Sequence, residues 1–230
     1  MKKKLVIFGL EDFADIAYEY FTCDSDYEVI AFTVNRNYLN KTEKFGLPIV
    51  PFEELALHFR PSEVEIFVAI SYRNMNRNRE RVVLEARNLG FRLASYISTN
   101  SFVWRNVELG EHVFIFENNT LQPFVRIGDN VICWSGNHIG HHSIVGNNVF
   151  ISSQVVISGW VVIGNNCFLG VNATVVNGVK IDKFSWIGQG ANVAQDIDQS
   201  MLVYASPAKV VPLNEELLDQ KIRKAEERRN

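Results

Sequence analysis

Cysteine is scarce in this 230-residue chain, and its three copies, Cys23, Cys133 and Cys167, stand at unrelated spacings. They form neither a disulfide framework nor a zinc knuckle. No apolar run approaches the ~20 residues that a helix needs to cross a bilayer. The opening Met1–Leu10 segment imitates a secretion signal, with three lysines before Leu5-Val6-Ile7-Phe8, but Glu11 and Asp12 end its apolar stretch too early. An excess of one charge is also missing. Lys+Arg total 23 and Asp+Glu 26, a net charge of −3, so nothing electrostatic favours a nucleic-acid partner or an anionic membrane. With 47% hydrophobic and 21% charged residues, extensive disorder is excluded. A cytoplasmic globular protein without membrane insertion is expected.

Two halves follow different rules. In residues 1–98, strand and helix signals alternate: strands at Lys4–Phe8, Glu28–Val34, Val64–Ile70 and Arg92–Ile97, helices at Asp12–Phe21, Phe52–Phe59 and Asn74–Leu89. The alternation predicts a small Rossmann-like parallel sheet with helices on its faces.

Beyond this the period changes to six. Counted from Val103, every sixth residue up to Val193 is apolar, sixteen in succession. At the chain's 47% hydrophobic content, the chance of this in any of six frames is roughly 3 in 10⁵. The fifth position of most hexads is small or β-branched, as at Val107, Val125, Val149, Val161, Ala173 and Ala191. The second is glycine in seven hexads, which suggests a tight corner where a side chain would clash or φ would be positive. Three hexads make one 18-residue coil of a triangular prism with a parallel sheet on each side, roughly 25 Å tall. This β-helix is expected over 99–200, followed by a tail over 201–230 whose residues 213–229 have the pattern of a helix.

At the sixth, outward position, one face reads Phe114, Ile132, Phe150, Phe168 and Trp186, an apolar stripe too tall to leave in water. Two coverings are open: the tail folding back, or a neighbouring subunit. The second is expected, with the prisms of a homotrimer side by side along this face.

The richest chemistry lies in Trp134-Ser135-Gly136-Asn137-His138-Ile139-Gly140-His141-His142-Ser143, which holds three of the five histidines. His141 and His142 fall at a corner and project outward, Asn137 falls at an inward position, and Gly159 and Trp160 lie one coil further on. Corner histidines can be plain surface residues. A metal site needs three converging ligands at ~2.1 Å, whereas adjacent residues diverge and no Cys or carboxylate flanks them. A neutral imidazole can also take a proton from an attacking hydroxyl or amine.

The hexads, the Ile139–Gly146 segment and the tail Tyr204-Ala205-Ser206-Pro207-Ala208-Lys209 resemble the hexapeptide-repeat sugar acyltransferases. The nearest group is the sialic-acid O-acetyltransferases and bacillosamine-type nucleotide-sugar N-acetyltransferases. The resemblance spans nearly the whole chain. It implies an α/β domain that binds a nucleotide sugar, followed by a left-handed parallel β-helix, and acetyl-CoA as donor in a groove between prisms. It also implies that His141 is the general base, and that Gly159, Gly188, Gly190, Pro207 and Lys209 lie on the donor side. On the acceptor side, Asn137, His138, His142, Trp160, Gly9, Asn35, Tyr72 and Arg79 are the candidates, with no metal. Three positions depart from the family pattern: His142 stands where an acidic residue often follows the base, Phe150 replaces a further histidine, and Gly9-Leu10-Glu11-Asp12 replaces a glycine-rich turn.

The expected activity is acetyl transfer from acetyl-CoA to an amino or hydroxyl group of a sugar, in bacterial surface-glycan (lipopolysaccharide) synthesis. The alternatives are a β-helix metal hydratase and a non-catalytic trimeric scaffold.

Overall fold

The structure is a computed structural model, and it describes residues 2–207, 210, 212, 215 and 218–220. Strand β1 (Lys3–Phe8) leads into helix α1 (Asp12–Cys23) and returns through β2 (Tyr27–Val34). A hairpin of β3 (Glu43–Lys44) and β4 (Leu47–Pro51), unforeseen from the sequence, extends the edge. Then come the short helix α2 (Leu55–His58), β5 (Val64–Val68), α3 (Arg77–Asn88) and β6 (Arg92–Leu93). The sheet order is β3-β4-β2-β1-β5-β6, parallel except for the hairpin. The single strand expected at Arg92–Ile97 is two elements: Arg92–Leu93 closes this sheet, while Tyr96–Ile97 already pairs with Phe114–Ile115 in the second half.

From Tyr96 the chain winds in coils of eighteen residues, each hexad giving a two-residue strand that pairs with the strand one coil away. The first face has seven strands, from Tyr96–Ile97 to Leu202–Val203. The second has six, from Phe102–Val103 to Asn192–Val193, and the third has five, from Glu108–Leu109 to Lys180–Ile181. First- and fifth-position side chains such as Ile115, Val131, Ile151, Val161 and Leu169 fill the axis, all at most 1% exposed.

The corners correct one expectation. A positive φ falls at the fourth hexad position, at every sixth residue from His112 to Gly190, and not at the second-position glycines. Asparagine occupies five of these turns (Asn118, Asn130, Asn148, Asn166 and Asn172), as befits the residue that best tolerates left-handed backbone after glycine. Of the two reasons expected for the second-position glycines, the steric one holds: a Cβ on Gly140 would lie 2.5–2.8 Å from the backbone of Ser158 and Gly159 in the next coil.

The apolar stripe corrects a larger one. Phe114, Ile132, Phe150 and Phe168 are at most 7% exposed within one chain, because the α/β domain lies against them. Helix α1 is apolar on two sides. Phe21 meets Phe67 of the sheet at 5.2 Å between ring centroids and Phe114 of the prism at 5.7 Å. Phe13 reaches Phe114 and Trp134, and Tyr72 covers Phe150, Phe168 and Trp186. This face is the domain interface, so it is not available as a subunit contact. Most of the expected tail helix lies outside the described residues; Glu215 and residues 218–220 are helical.

A buried polar chain locks the two domains together. The Val68 N–H at the open edge of β5 donates to Nε2 of His112 (2.8 Å), so the proton of this imidazole sits on Nδ1 and points at Asn130 Oδ1 (2.9 Å). Arg79 Nε donates to the same oxygen (2.8 Å), and its other nitrogens reach the carbonyls of Ile70, Ser71, Asn130, Asn148 and Val149. Asn130 passes the chain to Asn148 and Asn148 to Asn166, which donates to Glu80 of α3. Burial, aided by the Arg79 charge, pushes the His112 imidazole down to about 3. Burial also pulls the Arg79 guanidinium down to about 9, leaving it charged at neutral pH.

Candidate functional site

The corner between the second and third faces carries His141 and His142. In a three-sided column this edge lies opposite the first face, the one covered by the α/β domain. The backbone there is fixed by the coil ladder: His141 N–H donates to Gln122 Oε1 (2.9 Å), and its carbonyl accepts from Trp160 N–H (2.9 Å).

The glycine at 159 has a specific reason. A Cβ there would lie 2.6 Å from Cε1 and 2.7 Å from Nε2 of His141, so the imidazole rests across a glycine shelf in the next coil. Among the described residues neither histidine ring bonds a carboxylate, and the two rings do not diverge as expected: their Nδ1 atoms face one another at 3.1 Å. His142 is stacked on Trp160 (4.1 Å, 10°) and on Phe124 one coil the other way (4.6 Å, 24°). Phe124 was missed from sequence, although its spacing of 18 from His142, the same as that of Trp160, is a usable signal.

The other expected positions divide. His138 lies half-buried on the adjoining second face, paired in register with Thr120 and Val156. Asn137 is no substrate contact: it is 1% exposed, donates to the Trp134 carbonyl and accepts from Val155 N–H. An inward fifth position forces that side chain to serve the ladder. Nor is Arg79 a substrate contact, since it is 0% exposed and saturated by the interdomain chain. An arginine placed there by a helix that docks on the prism looks, from sequence alone, like one placed at a sheet's ligand edge.

At the carboxyl end of the sheet, Gly9 has φ +124° and a Cβ there would lie 3.0 Å from the Ala69 carbonyl. Its N–H is spent on the Thr33 carbonyl (2.9 Å), so Gly9 itself offers no amide to a ligand. Glu11 pairs with Arg73 at 3.7 Å, and Asn35 Nδ2 donates to Glu53.

Gly188, Gly190 and Pro207 line a different edge, between the first and second faces. There a groove of about 940 Å³ runs between the α/β domain and the tail, walled by Tyr72, Trp134, Phe150, Phe168, Trp186 and Tyr204. One chain therefore separates the expected donor positions, with Gly159 beside His141 and the rest in this groove; Lys209 lies outside the described residues. Among the described residues no group of three or more His, Cys, Asp or Glu is arranged to hold a metal ion.

Comparison with known proteins agrees with this architecture. The hexapeptide repeat of succinyl-transferase matches residues 160–193, and no curated protein matches the chain. The acetyltransferase domain of PglB from Neisseria gonorrhoeae FA1090 is similar over 91% of this chain and 100% of its own, at 24% identity and a TM-score of 0.80. The same domain in complex with acetyl coenzyme A gives 22% identity, 92% and 100% coverage and a TM-score of 0.79. PerB from Caulobacter crescentus, in complex with CoA and GDP-perosamine, is similar over 91% of this chain and 97% of its own, at 28% identity and a TM-score of 0.78. With its α/β domain, its left-handed parallel β-helix and its hexad sequence, the chain resembles the hexapeptide-repeat sugar acetyltransferases of the bacillosamine type.

Proposed function

We propose that the protein transfers an acetyl group from acetyl-CoA to an amino or hydroxyl group of a nucleotide-linked sugar, with His141 as general base. The likeness to PerB and PglB supports the donor and the acceptor class. The observation that carries the base is the imidazole laid over Gly159, with Nε2 2.7 Å from where a Cβ would sit. In that role Nε2 takes the proton of the acceptor as its nitrogen or oxygen attacks the thioester carbonyl. The coil ladder passes over Gly159 N–H, since Ser158 donates to Val175 and Trp160 to His141. That amide is the candidate donor to the developing oxyanion. Collapse breaks the C–S bond, and the departing thiolate recovers the proton from His141 as CoA leaves.

The placement of the edges argues for more than one chain. His141 stands opposite the face that its own α/β domain occupies, while the groove with Gly188, Gly190 and Pro207 opens beside that domain. In a cyclic homotrimer a different edge of the neighbour faces His141, and the groove of one chain and the imidazole of the next close one site. Exposed apolar side chains also favour this contact, now on the remaining faces and edge: Phe102, Phe124, Val156, Trp160 and Val162. The product is an acetylated sugar nucleotide for surface-glycan assembly.

A thermal-shift titration with CoA, followed by a mass-spectrometric screen of nucleotide-linked amino sugars with acetyl-CoA, tests this. Binding at 100 times Kd stabilises by about 2.7 kcal/mol, so a clear rise in Tm and a product 42 mass units heavier (about one acetyl for hydrogen) are expected. No response to millimolar CoA, or a monomeric mass by light scattering at micromolar concentration, contradicts it.

A further inference from the structure

The corner column Phe124–His142–Trp160 is built against local preference. All three residues have left-handed backbone, φ 65°, 59° and 61°, a region that costs roughly 1–2 kcal/mol outside glycine and asparagine. Of the eleven other left-handed corners from His112 to Gly190, five use asparagine and three glycine, and the rest are His112, Gln154 and Phe184. Phe124 and Trp160 are moreover 54% and 55% exposed within one chain, so packing inside the subunit does not explain the choice. Observed strain of this kind points to a role at a functional site.

The column fixes His142. Both faces of its ring are covered by aromatic partners, so it offers none to a substrate. Its edge is turned to the neighbouring imidazole, Nδ1 to Nδ1 at 3.1 Å, with the rings near perpendicular (86°). One of the two nitrogens must carry the shared proton. We propose that His142 is the positioning residue for the base: its Nδ1 accepts the Nδ1–H of His141, fixing the tautomer in which Nε2 of His141 bears the free lone pair. This rests on the reading of His141 as base. If His142 donated instead, His141 would carry its proton on Nε2 and could not accept one there. When Nε2 takes the acceptor's proton, the Nδ1–H···Nδ1 bond becomes charge-assisted and strengthens. A neutral, aromatic-clamped imidazole thus performs the orienting task without a carboxylate. Asn177 is the competing partner: its Oδ1 lies 3.0 Å from the same Gly159 Cβ point that His141 Nε2 approaches, and an Nε2–H donated to it would select the opposite tautomer.

Long-range ¹H–¹⁵N correlation on histidine-labelled protein reads the tautomers directly, without any substrate. The expected wild-type spectrum has His141 protonated on Nδ1 and His142 on Nε2. His142→Phe keeps the stack in a backbone region that phenylalanine already occupies at Phe124 and Phe184, but it removes the acceptor. It should convert His141 to a mixed or Nε2–H population and lower kcat with acetyl-CoA and the acceptor found in the screen by ~10-fold or more, with KM and Tm unchanged. His142→Asn, which supplies an amide oxygen in the residue favoured at these corners, should restore part of both signals. An Nε2–H tautomer of His141 in the wild type, or a His142→Phe variant with wild-type tautomers or kcat, overturns the proposal. Wild-type turnover in His141→Ala instead overturns the base reading beneath it.

Discussion

Gly159→Ala adds a single methyl beneath the imidazole of His141. At 2.6 and 2.7 Å from Cε1 and Nε2, the new carbon is about 1 Å inside an ordinary contact, and the movable partner is the end of a side chain. Gly159 is not in the left-handed region, so alanine brings no backbone strain there and narrows the unfolded ensemble, worth ~0.4–1 kcal/mol. The fold should survive nearly unchanged while the ring is displaced by about 1 Å, and a misplacement of that size costs ~10²-fold in rate. Gly140→Ala is the control. Its Cβ would meet backbone of the next coil at 2.5–2.8 Å, which cannot yield, so stability should fall by ~1–3 kcal/mol. The assay pairs thermal melting with CoA-thiol release in the presence of the acceptor. Wild-type kcat in Gly159→Ala, or a loss of Tm as large as that of Gly140→Ala, would refute the reasoning.

Three further predictions concern the interdomain contact. Phe114→Ala removes a fully buried ring shared by both domains and should cost ~3–5 kcal/mol by denaturant titration without altering the subunit mass; a dissociated oligomer of unchanged chain stability would return the stripe to the subunit interface. Arg79→Met strands several carbonyls and Asn130 and should lower stability by ~3 kcal/mol or more, while a neutral result would deny the lock. His112 should give an acid-sensitive slope. Its folded imidazole titrates at about 3 against ~6.5 unfolded, so the unfolded chain binds the extra proton and stability falls as pH drops below 6.5. Its carboxylate neighbour Asp129, held below the usual carboxylate range by the hydrogen bond from Arg87, stays ionised over this range. Between pH 7 and 5 the loss should be about 2 kcal/mol. His112→Asn, facing Arg79, Arg87 and Asp129 as before, should flatten it.

The hexad rule was legible because a prism side repeats one environment: the axis admits aliphatic residues and the fifth position small or branched ones, so the same requirement is written sixteen times. The corner imidazoles and the Gly159 shelf follow from the same count. What sequence alone misassigned was every relation between the two halves. An outward apolar stripe says that something covers it but not what, and helix α1 supplied the cover with residues, Phe13 and Phe21, that also serve its own sheet. Arg79 was misread for the same reason, its partners lying 51 to 70 residues away on the prism. The strand at Arg92–Ile97 was read as one because the domain boundary passes between Leu93 and Tyr96 without a break in apolar character. Phe124, by contrast, was readable: its spacing of 18 from His142, the same as that of Trp160, puts three rings at one corner of successive coils.

The most direct measurement is the turnover of His141→Ala with acetyl-CoA and the nucleotide-linked sugar identified in the screen, on protein whose Tm and subunit mass match the wild type. A fall in kcat of at least ~10²-fold is predicted. Acetyl transfer at the wild-type rate would contradict the account.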